Sequence, residues 1–371
     1  MPISTSGPTG SPVRLAVAGI WVMLATAACT AGAVRPSPTS PPSSTALAPP
    51  ATPPTPRSAA TPPAEPSVQQ LASQVSMGRA LQHLQALQEI ADEHGGNRAT
   101  GTPGYDASVD YVTGALRAAG FEVSTPTFEA SGSGWTDPGS TQRNVIAETR
   151  TGDKGHVVMI GAHLDSVEDG PGIVDNGSGV ASLLEIAARL GADPAVQNTV
   201  RFAFFGAEEN GAEGSTAYVE NLPADDRNRL KLYLNVDMVA SPNGGYIVQG
   251  GHGDDLGAAG PPGSAVIGGV LVDQLVKAGV TNPEVTEFVG DDESAFIEAG
   301  VPVGGAENGD TNEKSLQQAE AWGGEAGEVF DRCYHQSCDT VDNVNHDVLQ
   351  HYLRALAGTL AHFATSTDQL R

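Results

Sequence analysis

The segment VVMIGAHLDS, residues 157–166, decides the fold, because an apolar run leads directly into His163 and Asp165. A continuous apolar run of this length is typical of a strand that is buried on both faces of a sheet. Helical patterns alternate with such runs along the chain, at 180–190 and again at 265–278. Strands separated by helices predict a single α/β domain with a central mixed, mostly parallel sheet and helices on both faces.

Two later apolar runs also finish on ionisable side chains. The segment RFAFFGAEEN ends on Glu208 and Glu209, and the segment LYLNVDM ends on Asp237. Because ligands bind beyond the carboxyl ends of parallel strands, we expect these carboxylates to lie beside His163. Acidic groups gathered at a buried edge are costly unless a cation satisfies them. The pattern therefore predicts a metal site.

Two polar loops supply the remaining candidate ligands. The Gly-rich loop DGPGIVDNGSG contains Asp175, and the loop CYHQSCD contains His335. Histidine and carboxylate ligands without thiolates suit catalytic zinc. Five protein ligands are too many for one zinc ion that must also hold water, but they suit two zinc ions that share a carboxylate. Either Glu208 or Glu209 is then free to act as a general base in hydrolysis.

These segments, together with GNRATGTPGYDASVDYVTGALRAAGFEV at 96–123, resemble the secreted bacterial two-zinc aminopeptidases of the clan MH metallopeptidases. The likeness is of the actinobacterial lipoprotein aminopeptidase type, and it covers nearly all of residues 70–365. The resemblance implies two zinc ions per chain and hydrolysis at the N-termini of peptides or proteins. Some relatives also hold a structural calcium ion, for which the resemblance indicates no particular ligands in this sequence.

The resemblance also implies a role for each candidate ligand. Carried over to this sequence, it makes Asp175 the carboxylate that bridges the two zinc ions. His163 and Asp237 then complete one zinc site. Glu209 and His335 complete the other. Taken singly, each of these residues has an ordinary structural explanation, so the prediction depends on their combined order and spacing.

Further roles follow from the same resemblance. Glu208 becomes the general base, and Tyr334 becomes a hydrogen-bond donor to the tetrahedral oxyanion. Asp165 accepts a hydrogen bond from the imidazole N–H of His163 and fixes the tautomer of that imidazole. In this family the bond after the bridging aspartate is often cis, which predicts a cis bond between Asp175 and Asn176.

The sequence departs from the family around the substrate pocket. Relatives usually have Ser-Asp followed by His or Tyr where this chain reads GDDESAF, with Asp291, Asp292 and Glu293. Glu307 stands where an aromatic or apolar residue is commoner. Because carboxylates attract cations, an unusually acidic pocket predicts a preference for basic N-terminal residues.

The three cysteines fit an exported protein. If Cys29 carries lipid, Cys333 and Cys338 can form one disulfide and no free thiol is left. A disulfide in the loop CYHQSC would also brace His335. Zinc ligation by the two cysteines is the alternative.

The N-terminus has the pattern of an export signal. An apolar run at 15–28 follows Arg14, and it is shorter than a typical membrane span but matches a signal-peptide core. Small residues before Cys29 resemble a bacterial lipoprotein cleavage box, although an ordinary signal peptide would leave Cys29 incidental. We therefore expect 1–29 to be a signal peptide, and the chain to be extracellular or held at the cell surface by lipid alone.

Composition separates a linker from the catalytic domain. Residues 30–66 are rich in Pro, Ser and Thr, which predicts a disordered linker before a catalytic domain at 67–371. The formal net charge of −25 argues against a nucleic-acid partner, which would require clustered Lys and Arg. We expect a monomer that acts on peptides or proteins.

Three other functions are compatible with parts of this pattern. A glutaminyl cyclase resembles these peptidases but uses a single zinc ion. Carboxypeptidases and dipeptidases of related two-zinc families usually carry an inserted dimerisation domain. A catalytically inactive, surface-tethered binding protein would have lost Glu208 or a ligand, whereas this chain keeps the complete set.

Overall fold

The structure is a computed structural model that describes residues 67–132, 136–250 and 260–367. The predicted signal peptide, Cys29 and the predicted linker lie outside these residues. All of the described residues belong to one unit, Pro62–Arg371. Within the described ranges, every helix is too short or too polar to cross a membrane.

An eight-stranded mixed sheet forms the centre of the fold. Its strand order is β1-β4-β6-β5-β7-β10-β8-β9, and β2 pairs separately with β3. The strands are β1 Glu122–Ser124, β2 Thr127–Glu129, β3 Thr141–Arg143, β4 Val145–Glu148, β5 Asp153–His163, β6 Asn198–Phe205, β7 Leu230–Asp237, β8 Ile247–Gln249, β9 Glu284–Thr286 and β10 Val303–Glu307. The four central strands β6, β5, β7 and β10 run parallel, whereas β4 and β8 run antiparallel to their inner neighbours. The predicted mixed, mostly parallel sheet is confirmed.

Helices cover both faces of this sheet, as predicted. They are α1 Leu71–Gln74, α2 Met77–Glu93, α3 Pro103–Ala118, α4 Ser178–Leu190, α5 Glu213–Asn221, α6 Ala224–Arg229, α7 Ser264–Ala278, α8 Glu293–Glu298, α9 Leu316–Trp322 and α10 His346–Thr365. Phe202 of β6 belongs to the larger core, which also contains side chains of α4 and α10. On the other face, Phe205 of β6 and Phe296 of α8 belong to a smaller core. Alternate residues of one strand therefore fill two separate cores.

The first predicted helix is interrupted. The apolar pattern from Leu71 to Ile90 predicts one helix, but the chain forms α1 and α2 with extended backbone at Val75 and Ser76. The backbone nitrogen of Ser76 donates to the buried carboxylate of Glu185 on α4, at 2.7 Å. The break has a tertiary cause, because this hydrogen bond occupies the N–H at the start of α2.

The face of the smaller core becomes polar toward the carboxyl ends of the parallel strands. On β7, Tyr233 packs in the core, and Asp237 follows on the same face four residues later. The parallel register pairs Asp237 with Glu307 at the end of β10, and it pairs His163 with Phe205 at the end of β5. The candidate ligands therefore meet at this edge of the sheet.

Candidate metal centre

One set of donor atoms gathers around His163 at the end of β5. Its Nε2 atom lies 3.1 Å from Asp175 Oδ1 and 3.4 Å from Asp237 Oδ2. All three residues are at least nine-tenths buried. An imidazole nitrogen and two carboxylate oxygens thus converge where water is largely excluded.

A second set gathers around His335. Its Nε2 atom lies 3.1 Å from Asp175 Oδ2 and 3.0 Å from Glu209 Oε2. The two oxygens of Asp175 therefore face different imidazoles, one in each set. A single carboxylate shared between two imidazole–carboxylate sets is the arrangement that a pair of bridged metal ions requires.

The donor set fits zinc. Donor atoms of His163, Asp175 and Glu209 all lie within 4.8 Å of one another. Glu209 Oε1 and Asp237 Oδ1 are buried and have no hydrogen-bond partner in the described part of the chain. Buried carboxylate oxygens without partners are unfavourable, and a cation in contact with them would remove the penalty. Nitrogen and oxygen ligands of this kind are those of catalytic rather than structural zinc sites.

The electrostatics of the cluster also favour a cation. Burial lowers the pKa of His335, but hydrogen bonds to Asp175 and Glu209 outweigh this effect and raise the pKa to about 10. Burial likewise opposes charge on His163, whose pKa is nevertheless raised by Asp237 and by hydrogen bonds to neighbouring carboxylates. The neighbouring carboxylates thus stabilise positive charge at both imidazoles. In a metal-bound protein, metal ions would provide this positive charge in place of the added protons.

Glu208 lies beside these sets and outside the contacts that define them. Burial raises the pKa of Glu208 well above its ordinary value, and Asp292 adds to the rise although His163 opposes it. The preceding residue, Ala207, has a left-handed backbone with φ of +55°, and its N–H donates to the Thr100 hydroxyl at 2.8 Å. The turn after β6 is therefore held in place by Thr100, immediately before Glu208 and Glu209.

Asp165 contacts both the first donor set and the turn that follows β6. The Nδ1 atom of His163 lies 3.2 Å from the backbone oxygen of Asp165 and 3.5 Å from its carboxylate. The nearer acceptor is thus the backbone carbonyl, whereas the sequence points to the carboxylate. That carboxylate also interacts with the His163 imidazole, and it accepts from the backbone nitrogen of Glu208 at 3.2 Å.

The loop that carries His335 is closed by a disulfide between Cys333 and Cys338. The alternative in which these cysteines bind zinc is therefore wrong. His335 has a left-handed backbone with φ of +56°, and the ring of Tyr334 stacks on its imidazole at 3.8 Å between centroids. Burial, with the nearby carboxylates of Asp175 and Glu209, raises the pKa of Tyr334, so its phenol remains a hydrogen-bond donor.

Two charged residues that the sequence analysis missed hold the Asp175 loop. Arg98 is fully buried, and its guanidinium donates to the backbone oxygens of Leu164, Pro171 and Gly172. It therefore ties the end of β5 to the loop that carries Asp175. Arg98 stands in the quoted segment GNRATGTPGY, where a lone arginine among turn-forming residues was the available signal.

Asp339 is the second of these residues. Its carboxylate accepts from the backbone nitrogens of Val174 and Asp175, at 2.8 and 3.1 Å. The bond between Asp175 and Asn176 is cis, as the family resemblance implies. The Asn176 side chain in turn donates to the backbone oxygen of Val236 at 2.8 Å, next to Asp237. The loop is thus fixed on both sides of Asp175.

Comparison with known proteins identifies relatives among peptidases. The sequence model of Peptidase family M28 matches residues 144–360. Leupeptin-inactivating enzyme 1 of Streptomyces exfoliatus is 43% identical over 284 residues, which cover 74% of this chain and 59% of that protein. The probable lipoprotein aminopeptidase LpqL of Mycobacterium tuberculosis is 36% identical over 416 residues, covering 75% of this chain and 83% of that protein.

Solved structures show the same fold at low sequence identity. A zinc aminopeptidase from Bacillus subtilis superposes with a TM-score of 0.63 at 16% identity, covering 80% of this chain and 97% of that one. A glutaminyl cyclase from Porphyromonas gingivalis gives a TM-score of 0.58 at 20% identity, with coverage of 78% and 98%. Because an aminopeptidase and a glutaminyl cyclase share this fold, the structural likeness establishes the architecture only. The activity must be inferred from the residues of the site.

Proposed function

Because the chain belongs to peptidase family M28, we propose that it is a two-zinc aminopeptidase that hydrolyses the N-terminal bond of peptides and proteins. The observation that carries this proposal is the division of the Asp175 carboxylate between His163 and His335. In the proposal Asp175 bridges the two zinc ions. His163 and Asp237 complete one site, and Glu209 and His335 complete the other.

Glu208 is the proposed general base. Zinc ions bound at the two sites would polarise the scissile carbonyl and lower the pKa of the attacking water. Glu208 accepts the proton that this water loses, and then gives it to the departing amine. Its position supports the role, because the Glu208 backbone is held by Asp165 while its side chain lies outside both donor sets.

Tyr334 is the proposed donor to the oxyanion. Its phenol stays protonated because burial and neighbouring carboxylates oppose its ionisation. The disulfide-closed loop fixes Tyr334 against His335. A prepositioned donor of this kind stabilises the negative charge that develops on the carbonyl oxygen.

Exported, lipid-anchored placement is a further part of the proposal. The apolar run before Cys29 and the Pro-rich residues 30–66 support it, and so does the similarity to the probable lipoprotein aminopeptidase of Mycobacterium tuberculosis. Mass analysis of the mature chain from its native host would test it. A diacylated cysteine at the N-terminus is expected, and an unmodified N-terminus beyond Cys29 would contradict lipidation.

The proposed activity is tested by incubating the purified full chain with a set of aminoacyl-p-nitroanilides and with the same compounds acetylated at the N-terminus. We expect release of p-nitroaniline only from compounds with a free amino group. Glu208→Gln should abolish release while zinc stays bound. Glu220→Gln, which removes an exposed carboxylate of α5, is the matched control and should retain activity. Cyclisation of N-terminal glutamine without peptide hydrolysis would contradict the proposal.

A further inference from the structure

Glu307 lies beside the proposed zinc ligand Asp237 in the central sheet. It is the last residue of β10, and the parallel register sets it opposite Asp237, a proposed zinc ligand. Paired residues of neighbouring strands direct their side chains to the same face of a sheet. Glu307 therefore faces the same side of the sheet as Asp237, next to the proposed metal centre.

A buried amide holds the Glu307 carboxylate. Gln249, on the adjacent strand β8, is 1% exposed, and its Nε2 atom donates to Glu307 Oε2 at 2.6 Å. Gly305 makes this possible, because a Cβ atom at that position would stand 2.6 Å from Gln249 Oε1. The oxygen Gln249 Oε1 is buried and has no hydrogen-bond partner within the described ranges. An acceptor is therefore available beside the carboxylate and needs a donor.

Two further carboxylates, from the residues at the start of α8, lie near the Gln249 side chain or its neighbours. The carboxylate of Asp291 contacts the same Gln249 side chain. Glu293 is fully buried, accepts from the backbone nitrogens of Gly290 and Asp291, and is 3.3 Å from the Asn235 amide. The amide of Gln249 thus lies between the carboxylates of Asp291 and Glu307.

The described residues supply no cation to these carboxylates. Asp291, Glu293 and Glu307 form no ion pair with any Lys, Arg or His side chain in the described part of the chain. The one grouping of potential metal donors found there is at the zinc centre and excludes all three. A set of acceptors this spread out suits a group with several N–H donors better than a single ion.

We propose that the active site prefers peptides whose N-terminal residue is arginine or lysine, and that Glu307 receives the cationic side chain. Gln249 orients the Glu307 carboxylate and, through Oε1, accepts a further hydrogen bond from the ligand. Asp291 adds negative charge on the other side of Gln249. The proposal rests on the aminopeptidase function proposed above, and it assigns a side-chain preference to the same site.

The test compares kcat/KM for Arg-, Lys- and Leu-p-nitroanilide with the zinc-loaded full chain. The wild type should favour the two basic substrates over the leucine substrate by at least about tenfold, as expected for a partly desolvated charge pair. Glu307→Gln should remove most of that preference, and Glu307→Leu should reverse it. Glu298→Gln, which removes an exposed carboxylate at the end of helix α8, should leave the preference unchanged.

The possible outcomes separate the two proposals. Faster turnover of the leucine substrate by the wild type would overturn the basic preference while the aminopeptidase function stands. An equal loss for all three substrates in Glu307→Gln would also overturn it, because Glu307 would then act on the shared α-amino group or on folding. If the zinc-loaded wild type released p-nitroaniline from none of them, both proposals would fail.

Discussion

The carboxylate of Asp339 accepts a hydrogen bond from the backbone nitrogen of Asp175, at 3.1 Å. Asp339 directly follows Cys338, so the same short segment closes the His335 loop and holds the loop that carries Asp175. The two sides of the second donor set are therefore fixed to each other. Changes to the disulfide loop should act on metal binding as well as on stability.

Removal of the disulfide tests this coupling. In the double variant Cys333→Ser/Cys338→Ser, the unfolded chain is less constrained, and closure of so short a loop is worth about 2 kcal/mol. We expect a loss of this size in the free energy of unfolding and a weaker affinity for the second zinc ion, because His335 is no longer braced. Chemical denaturation and zinc titration measure the two effects. Unchanged zinc affinity would show that Asp339 alone holds the loop.

Arg98→Lys tests the anchoring of the Asp175 loop. One ammonium cannot reproduce the forked geometry with which the guanidinium reaches the oxygens of Leu164, Pro171 and Gly172. We expect roughly a 10- to 100-fold loss in zinc affinity, the usual effect of losing a group that orients ligands. Arg117→Lys, an exposed arginine at the end of α3, is the control. Equal zinc affinity in both variants would contradict an orienting role for Arg98.

Tyr334→Phe removes the proposed oxyanion donor and keeps the ring that stacks on His335. Since such donors act mainly on the transition state, kcat should fall by about 10²- to 10³-fold with little change in KM. Zinc content should stay at the wild-type value. A rise in KM at constant kcat would instead indicate a role in substrate binding.

His83 offers a test of pH dependence away from the metal centre. Burial, with a contribution from Arg79, lowers the pKa of His83 to about 4, and its Nδ1 atom lies 2.7 Å from the Tyr111 hydroxyl. The unfolded chain binds the proton more readily, so stability should fall as the pH drops from about 6.5 toward 4, by at most about 1.4 kcal/mol per pH unit. His83→Gln should flatten this part of the profile in urea denaturation. Parallel profiles for the two proteins would contradict the assignment.

The sequence predicted the central sheet and the grouping of candidate ligands, because both depend on local patterns. Apolar runs that end on His163, Glu209 and Asp237 imply parallel strands whose carboxyl ends meet at one edge. The sequence could not predict the contacts of Arg98 and Asp339. Arg98 donates to backbone oxygens, and Asp339 accepts from backbone nitrogens, of residues far away in the sequence. Such partners leave no side-chain pattern in a single sequence.

The same reasoning explains the interrupted first helix. The apolar spacing across Ser76 is helical, but the buried Glu185 takes the N–H of Ser76 from a distance of 109 residues. Long-range contacts of this kind override local propensity. The acidic residues Glu307 and Asp291 were noticed in the sequence as departures from the family, whereas the role of Gln249 between them required the structure.

The number of zinc ions bound per chain tests the central claim most directly. The measurement is zinc stoichiometry of the purified full chain by elemental analysis, alongside the single-site variants Asp237→Ala and His335→Ala. We predict two zinc ions in the wild type and one in each variant, because Asp175 would still hold the remaining ion with its other partners. One zinc ion in the wild type, unchanged in His335→Ala, would contradict the two-zinc site and favour the single-zinc chemistry of a cyclase.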